Sequence, residues 1–252
     1  MGNRMKKRVA WVAFLLAAMV WGAANGALAG YWNVGDDFSA TNNPNGVWSY
    51  GDYGGATFTG TLNPATFTLL TTEAHGYGSI DAWQNGVLDP VVSHNSSRTL
   101  TVGSFSDPTT YWTQWAPNEV ALHPWDGPTV VRWTAPSAGE YQVSGDFFPT
   151  QGVNAPANAY IYMDATQEAS LGSVSSTVPF SLLLNLNAGD TVDFVAWGGN
   201  TYNKTTGLDA SISTVAGPSN TSSVPEPSSL AGLLSLGVSG VIANIWRRRR
   251  RS

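Results

Sequence analysis

Apolar and polar residues alternate with period two along much of the chain from Gly30 onward, the signature of strands buried on one face. Val131 and Trp133 point one way and Arg132 the other. Tyr141 and Val143 alternate with Gln142 and Ser144. Phe180, Leu182, Leu184 and Leu186 form a third strip, and Val192, Phe194 and Ala196 a fourth, opposite Asp193, Val195 and Trp197. Turn formers separate the runs at Pro136-Ser137-Ala138-Gly139, Asn187-Ala188-Gly189 and Gly198-Gly199-Asn200. Strands also fit residues 57–59, 66–72, 99–105, 159–164 and 208–215. No apolar stretch in this body keeps helical spacing, so an all-β sandwich is expected in place of a parallel α/β fold. Residues 31–125 are read as the other strands and long loops of the same sandwich; a separate N-terminal domain is the alternative.

The second half carries a more specific pattern. VVRWTAPSAGEYQVSGDF, then LLLNLNAGDTVDFVAW, then GLDASI resembles the jelly-roll sandwich of galactose-binding-like and carbohydrate-binding modules. In these folds a P-x-x-G-x-Y-x-V segment and a later L-x-x-G-D-x-V-x-F segment recur, each glycine turning the chain into a core strand. The resemblance spans residues 125–215 and implies architecture, not a particular ligand.

Both ends of the chain read as addresses. Arg4, Lys6, Lys7 and Arg8 precede an apolar run from Val9 to Val20 and the small-residue site Ala27-Leu28-Ala29. This is the layout of a secretory signal peptide, residues 1–29, cut after Ala29, and it predicts use of the Sec translocon and signal peptidase. At the other end a linker, residues 217–223, leads to Val224-Pro225-Glu226-Pro227, an apolar span over 228–246 and the basic tail 247–252 with Arg247, Arg248, Arg249, Arg250 and Arg251. As a helix, the seventeen residues from Leu230 to Trp246 would span roughly 26 Å, near the lower limit for a bilayer. The arginines hold the C-terminus on the cytoplasmic side, and the signal peptide sends the body, residues 30–216, across the same membrane. The proline box, span and basic cluster resemble the PEP-CTERM sorting signal of Gram-negative bacteria. That resemblance implies recognition by an exosortase, cleavage near the box, and release or attachment at the cell surface or extracellular matrix. Pro225 and Pro227 fit such a role, because each fixes its own φ and keeps the residue before it extended.

Charge changes once the ends are set aside. Between Gly30 and Val224 only Arg98, Arg132 and Lys204 are basic against sixteen acids, a net of −13, which argues against DNA or RNA partners. The chain has no cysteine, so disulfides, thiol nucleophiles and cysteine-ligated zinc are excluded.

No catalytic residue stands out. His75, His94 and His123 form no metal-ligand pair; Glu73 beside His75 is the one close acid and imidazole. There is no Gly-x-Ser-x-Gly elbow and no P-loop. A glycan-active enzyme, hydrolase or lyase, would need two carboxyls flanking a cleft, and sequence does not select a pair from sixteen acids. Asp146, Asp164, Asp190 and Asp209, at strand ends, are the candidates for a structural Ca2+. Aromatic residues give the stronger hint. Trp112, Trp115 and Trp125 offer flat faces for sugar rings, with Asn118 to hydrogen-bond their hydroxyls. Asn95, Asn203 and Asn220 head Asn-x-Ser/Thr sequons. The expectation is an exported, non-enzymatic surface protein that binds polysaccharide, against a glycan-active enzyme or a structural coat protein.

Overall fold

The computed structural model describes residues 30–54, 62–75, 78–86, 90–103, 113–150, 156–164, 166–198 and 204–215, with the His75 side chain left out. Contacts divide the chain into two units, Met1–Val215 and Ala216–Ser252. The signal peptide with Ala27 and Ala29, the sorting box, the apolar span, Arg247 to Arg251 and the 57–59 strand therefore lie outside the described residues. The body's N-terminal strands are β1 (Tyr31–Asn33), β2 (Trp48–Asp52), β3 (Thr68–Leu69), β4 (Thr72–His75), β5 (Ile80–Gln84), β6 (Val91–Asn95), β7 (Thr101–Gly103) and β8 (Thr113–Trp115). Then follow β9 (Val120–His123), β10 (Thr129–Thr134), β11 (Gly139–Pro149), β12 (Asn158–Met163), β13 (Thr166–Ser173), β14 (Val178–Leu186), β15 (Thr191–Trp197) and β16 (Thr206–Thr214).

The last eight strands make a jelly roll. Nearly every connection crosses from one sheet to the other, so β9, β16, β11 and β14 lie side by side in one sheet and β10, β15, β12 and β13 in the other. Earlier strands widen these sheets instead of forming a domain of their own. The first sheet runs β14-β11-β16-β9-β6-β5-β4, with β1 also beside β16; the second runs β13-β12-β15-β10-β2-β3. β7 and β8 form a separate hairpin.

The alternating strips meet between the sheets. Tyr141, Val143, Phe147, Phe180, Leu208 and Ile212 from the first sheet pack on Trp48, Tyr50, Val131, Trp133, Ile161 and Phe194 from the second. Trp133 sits edge-on to Trp32 and Tyr141, with ring centroids 5.4 Å and 5.1 Å away. At about 25 cal/mol per Å2 of apolar surface removed from water, such aromatic side chains are the principal source of cohesion in a chain without disulfides.

The two motif turns lock together. The Ala135 N–H donates to Asp190 O, and the Gly189 N–H donates back to Ala135 O, both at 2.8 Å. Tyr141 Oη donates to Ser137 O at 2.8 Å, closing the turn into β11. Gly189 has φ +93°, as the pattern implies, but Gly139 sits in ordinary strand geometry and the tyrosine, not that glycine, secures its turn.

The two faces of β15 are as the alternation predicts, but both are covered. Asp193 and Val195 point away from the main core yet are fully buried, because Tyr53, Tyr160, Tyr162, Leu62 and Phe67 cover the second sheet's outer side. Residues 66–72 are accordingly not one strand: a 3-10 turn at Pro64–Thr66 brings Phe67 onto Arg132, 3.9 Å from ring centroid to guanidinium carbon. Arg132 grips Asp193 through Nε at 2.6 Å and Nη2 at 2.7 Å, and Tyr53 Oη donates to the same carboxylate at 2.5 Å. Both oxygens of the buried Asp193 carboxylate are thus hydrogen-bonded, which a buried charge requires.

Candidate functional site

The hairpin β7–β8 folds over the outer side of the first sheet. Its Trp115 packs against Ile80 and Ala121 and donates Nε1–H to Ser93 Oγ at 3.0 Å. Asn95, buried at the end of β6, fixes the hairpin's far side. Its Nδ2 donates to Thr99 O, Trp115 O and Ala116 O at 2.9–3.1 Å, and its Oδ1 accepts from Ser79 Oγ and the Ser97 N–H. The Gln114 N–H donates to Thr150 O at 2.8 Å, tying the hairpin to the end of β11.

Between the hairpin and that strand end lies a groove of about 260 Å3, lined by Leu100, Gln114, Ala116, Glu119, Phe148, Pro149 and Thr150. Glu119 is 7% exposed. Its Oε2 accepts the Ala116 N–H at 2.7 Å, while Oε1 is buried with no hydrogen-bond partner. Burial pushes its carboxyl up to about 7, with the Ala116 N–H pulling the other way.

Past the groove the sheet is uncovered, and strand register writes its residues in rows. Beyond Phe148 come Asp209, Asp146 and Pro179, then Asn33, Ser211, Ser144 and Ser181, then Tyr31, Ser213, Gln142 and Leu183, and last Glu140 and Asn185. None of these side chains is buried; Tyr31 is 64% and Leu183 56% exposed. The face spans about 20 Å along β11 from Phe148 to Gln142 and about 14 Å across the four strands. It offers hydroxyls, amides and carboxylates between one aromatic ring and one leucine.

The structure moves the aromatic platform. Trp115 is wholly buried, because the hairpin needs an apolar anchor on the sheet, and its ring faces no ligand. Trp112 lies outside the described residues. Trp125 is half-buried beside His123, 5.7 Å between ring centroids, and does not line the groove. Asn118 is exposed, but its amide is engaged: Nδ2 donates to Asp36 Oδ1 at 2.7 Å, and Oδ1 accepts from His94 Nε2 at 3.0 Å. Its φ of +61° suits the tight turn before β9. Gln114, Ala116 and Glu119, from the same part of the chain, line the groove, and none of the four predicted residues does among those described.

The calcium candidates do not gather. Asp146 and Asp209 stand opposite each other across β11 and β16. Asp164 accepts the Thr191 N–H at 2.9 Å and Asp190 the Asn187 N–H at 2.7 Å, so both are turn formers. Among the described residues, no three His, Asp or Glu side chains are grouped to hold a metal. Glu73 is on β4, and the neighbouring His75 side chain lies outside the described residues. Burial lowers His123 to about 4 and lowers His94 as well, and each ring is engaged, with His123 Nδ1 2.6 Å from Thr205 Oγ1. Asn95 is a buried turn anchor, which removes its sequon from use. Nothing local in the sequence marks that role of Asn95, or Glu119.

The body is thus an all-β jelly-roll sandwich with one widened, open face. The sequence matches no family model, and no curated protein is similar to it. Three solved structures illustrate what it is similar to in shape. A CBM51 from Clostridium perfringens GH95, in complex with methyl-galactose, is 11% identical with TM-score 0.34, covering 58% of this chain and 95% of that one. A family 35 carbohydrate-binding module from Clostridium thermocellum is 17% identical with TM-score 0.25, covering 54% and 98%. Rabbit GITRL is 15% identical with TM-score 0.27, covering 49% and 83%. At such TM-scores the likeness transfers neither ligand nor activity to this chain.

Proposed function

We propose that the body is a non-catalytic polysaccharide-binding module, exported through Sec, held briefly by its C-terminal span, and passed by an exosortase to the cell surface or matrix. The observation that carries the binding reading is the open face of the first sheet. Rows of Asn33, Ser211, Ser144, Ser181, Ser213 and Gln142, beside an exposed Tyr31, match the alternation of hydroxyls and C–H faces along an extended glycan. Binding fits better than hydrolysis. Glycoside cleavage takes two carboxyls about 5–9.5 Å apart across a cleft. Among the described residues the groove's lining holds one, Glu119, and Asp146 and Asp209 lie on an open surface that does not exclude water.

The export and sorting parts rest on the sequence of the two ends. A glycan array probed with the full-length chain in detergent tests the binding part. Retention of neutral or basic polysaccharides is expected; retention of none sinks the reading, and release of shortened glycan products replaces it with an enzyme.

A further inference from the structure

We propose that the groove at Glu119 is a subsite for a sugar ring carrying a free amine, with the ammonium seated on the Glu119 carboxylate. This rests on the polysaccharide-binding reading of the adjoining face and names the class of glycan the face receives.

The first ground is the side chain itself. Glu119 is more than nine-tenths buried, lines the groove, and leaves Oε1 without a hydrogen bond. A buried carboxyl oxygen without a donor is costly, and a ligand that brings one is correspondingly favoured. A hydroxyl would supply one donor and leave a carboxylate's charge unbalanced. An ammonium supplies three donors and the opposite charge. Oε1 is itself covered, so a donor reaches it only if a lining side chain moves aside; Leu100 and Gln114 are exposed side chains of that lining.

The second ground is the shape and chemistry of the walls. About 260 Å3 is room for a ring, not a protein segment, and Leu100, Phe148 and Pro149 present apolar surface to its C–H face while Gln114 offers an amide to its hydroxyls. A single carboxyl does not make a cation cage, since hard divalent ions take six or more oxygens.

The third ground is charge. The body's net −13 repels uronic and sulfated glycans and attracts basic ones. Of its three basic residues, Arg132 is bound to Asp193 and Lys204 donates to Gly198 O. The strands around Glu119 bring no competing cation. His94 of β6 is held by Asn118, its proton affinity lowered by burial; Arg98 is exposed in the turn before β7; β7, β8 and the end of β11 carry no charged side chain. Among the described residues, Glu119 is the one ionisable group that lines the groove.

The test is calorimetric titration of the full-length protein in detergent with oligomers of glucosamine, of N-acetylglucosamine and of glucose. Glucosamine oligomers are expected to bind at least about tenfold tighter than the other two at pH 7, the strength of one charge-assisted contact. Protonation of Glu119 removes most of that preference by pH 5. E119Q abolishes the preference for glucosamine oligomers over the neutral ones. E119D, which keeps the charge at shorter reach, retains part of it. Equal binding of the three oligomers, or a preference that survives in E119Q, overturns the amine subsite while the polysaccharide reading stands. Failure of every oligomer and every arrayed glycan overturns both. Glucosamine binding that persists when all polymers fail keeps the subsite and removes the face.

Discussion

Glu119 concentrates the physical tension of this body in one side chain. Its carboxyl lies near pH 7 in the fold, against an ordinary value of 4.5 in the unfolded chain. Below pH 4.5 both states are protonated and the residue costs the fold nothing; as pH rises from there to 7, the unfolded chain ionises first and stability drains away. At about 1.4 kcal/mol per pH unit the loss reaches about 3 kcal/mol. E119Q should therefore be more stable than the parent by about 2–3 kcal/mol at pH 8 and equal to it at pH 4, as followed by thermal unfolding. A variant no more stable at pH 8 means that the carboxyl already has a partner. Asn95 is the converse case. N95A strands the Trp115 and Ala116 carbonyls and should cost about 2–3 kcal/mol, read as a lower denaturant midpoint. Because Asn95 holds the hairpin wall of the groove, glucosamine binding should weaken with it.

At the level of elements, β11 organises the face by bridging β16 and β14 over nine register positions on each side. Midway along it, Gly145 has φ +155°, and a Cβ there would stand 1.9 Å from Asp209 O. G145A must push β16 away, so it should destabilise the body by at least about 2 kcal/mol and loosen the Asp146–Asp209 row; an unchanged midpoint contradicts the close approach. Tyr31 on β1 is different. Its ring is 64% exposed, so Y31A should leave folding within about 0.5 kcal/mol of the parent. Glycan affinity should fall about three- to tenfold, the measure of one stacking contact. Equal affinity in Y31A would place the ligand away from this edge.

For the whole molecule, the sorting route proposed above assigns the acidic body and the basic tail to different stages. On that proposal, replacing Arg247 to Arg251 with serine removes the charges that would hold the tail on the cytoplasmic side. In a host with an exosortase, the unchanged chain should appear outside the cell without its tail, and the serine variant should be cut less or inserted in both orientations; immunoblotting of membrane and medium fractions distinguishes these. A full-length parent chain that stays in the membrane shows that the tail is only an anchor.

Sequence by itself determined the all-β class, because period-two strips such as Phe180-Leu182-Leu184-Leu186 suit only a strand with one buried face. It also located the turns at residues 136–139 and 187–189, where Pro, Gly and Asn restrict the backbone locally. The short N-terminal strands were illegible for the opposite reason: β2, β5 and β6 are buried on both sides in part, so their residues do not alternate. Only the tertiary structure decided which aromatics pack and which face water. Trp115 reads as a sugar platform in the sequence and Tyr31 does not, yet the hairpin buries the first and the edge of β16 displays the second. Glu119 acquired its meaning the same way. Nothing beside it in sequence marks it as special, and its buried, unpartnered oxygen exists because segments far apart in the chain close a groove around it.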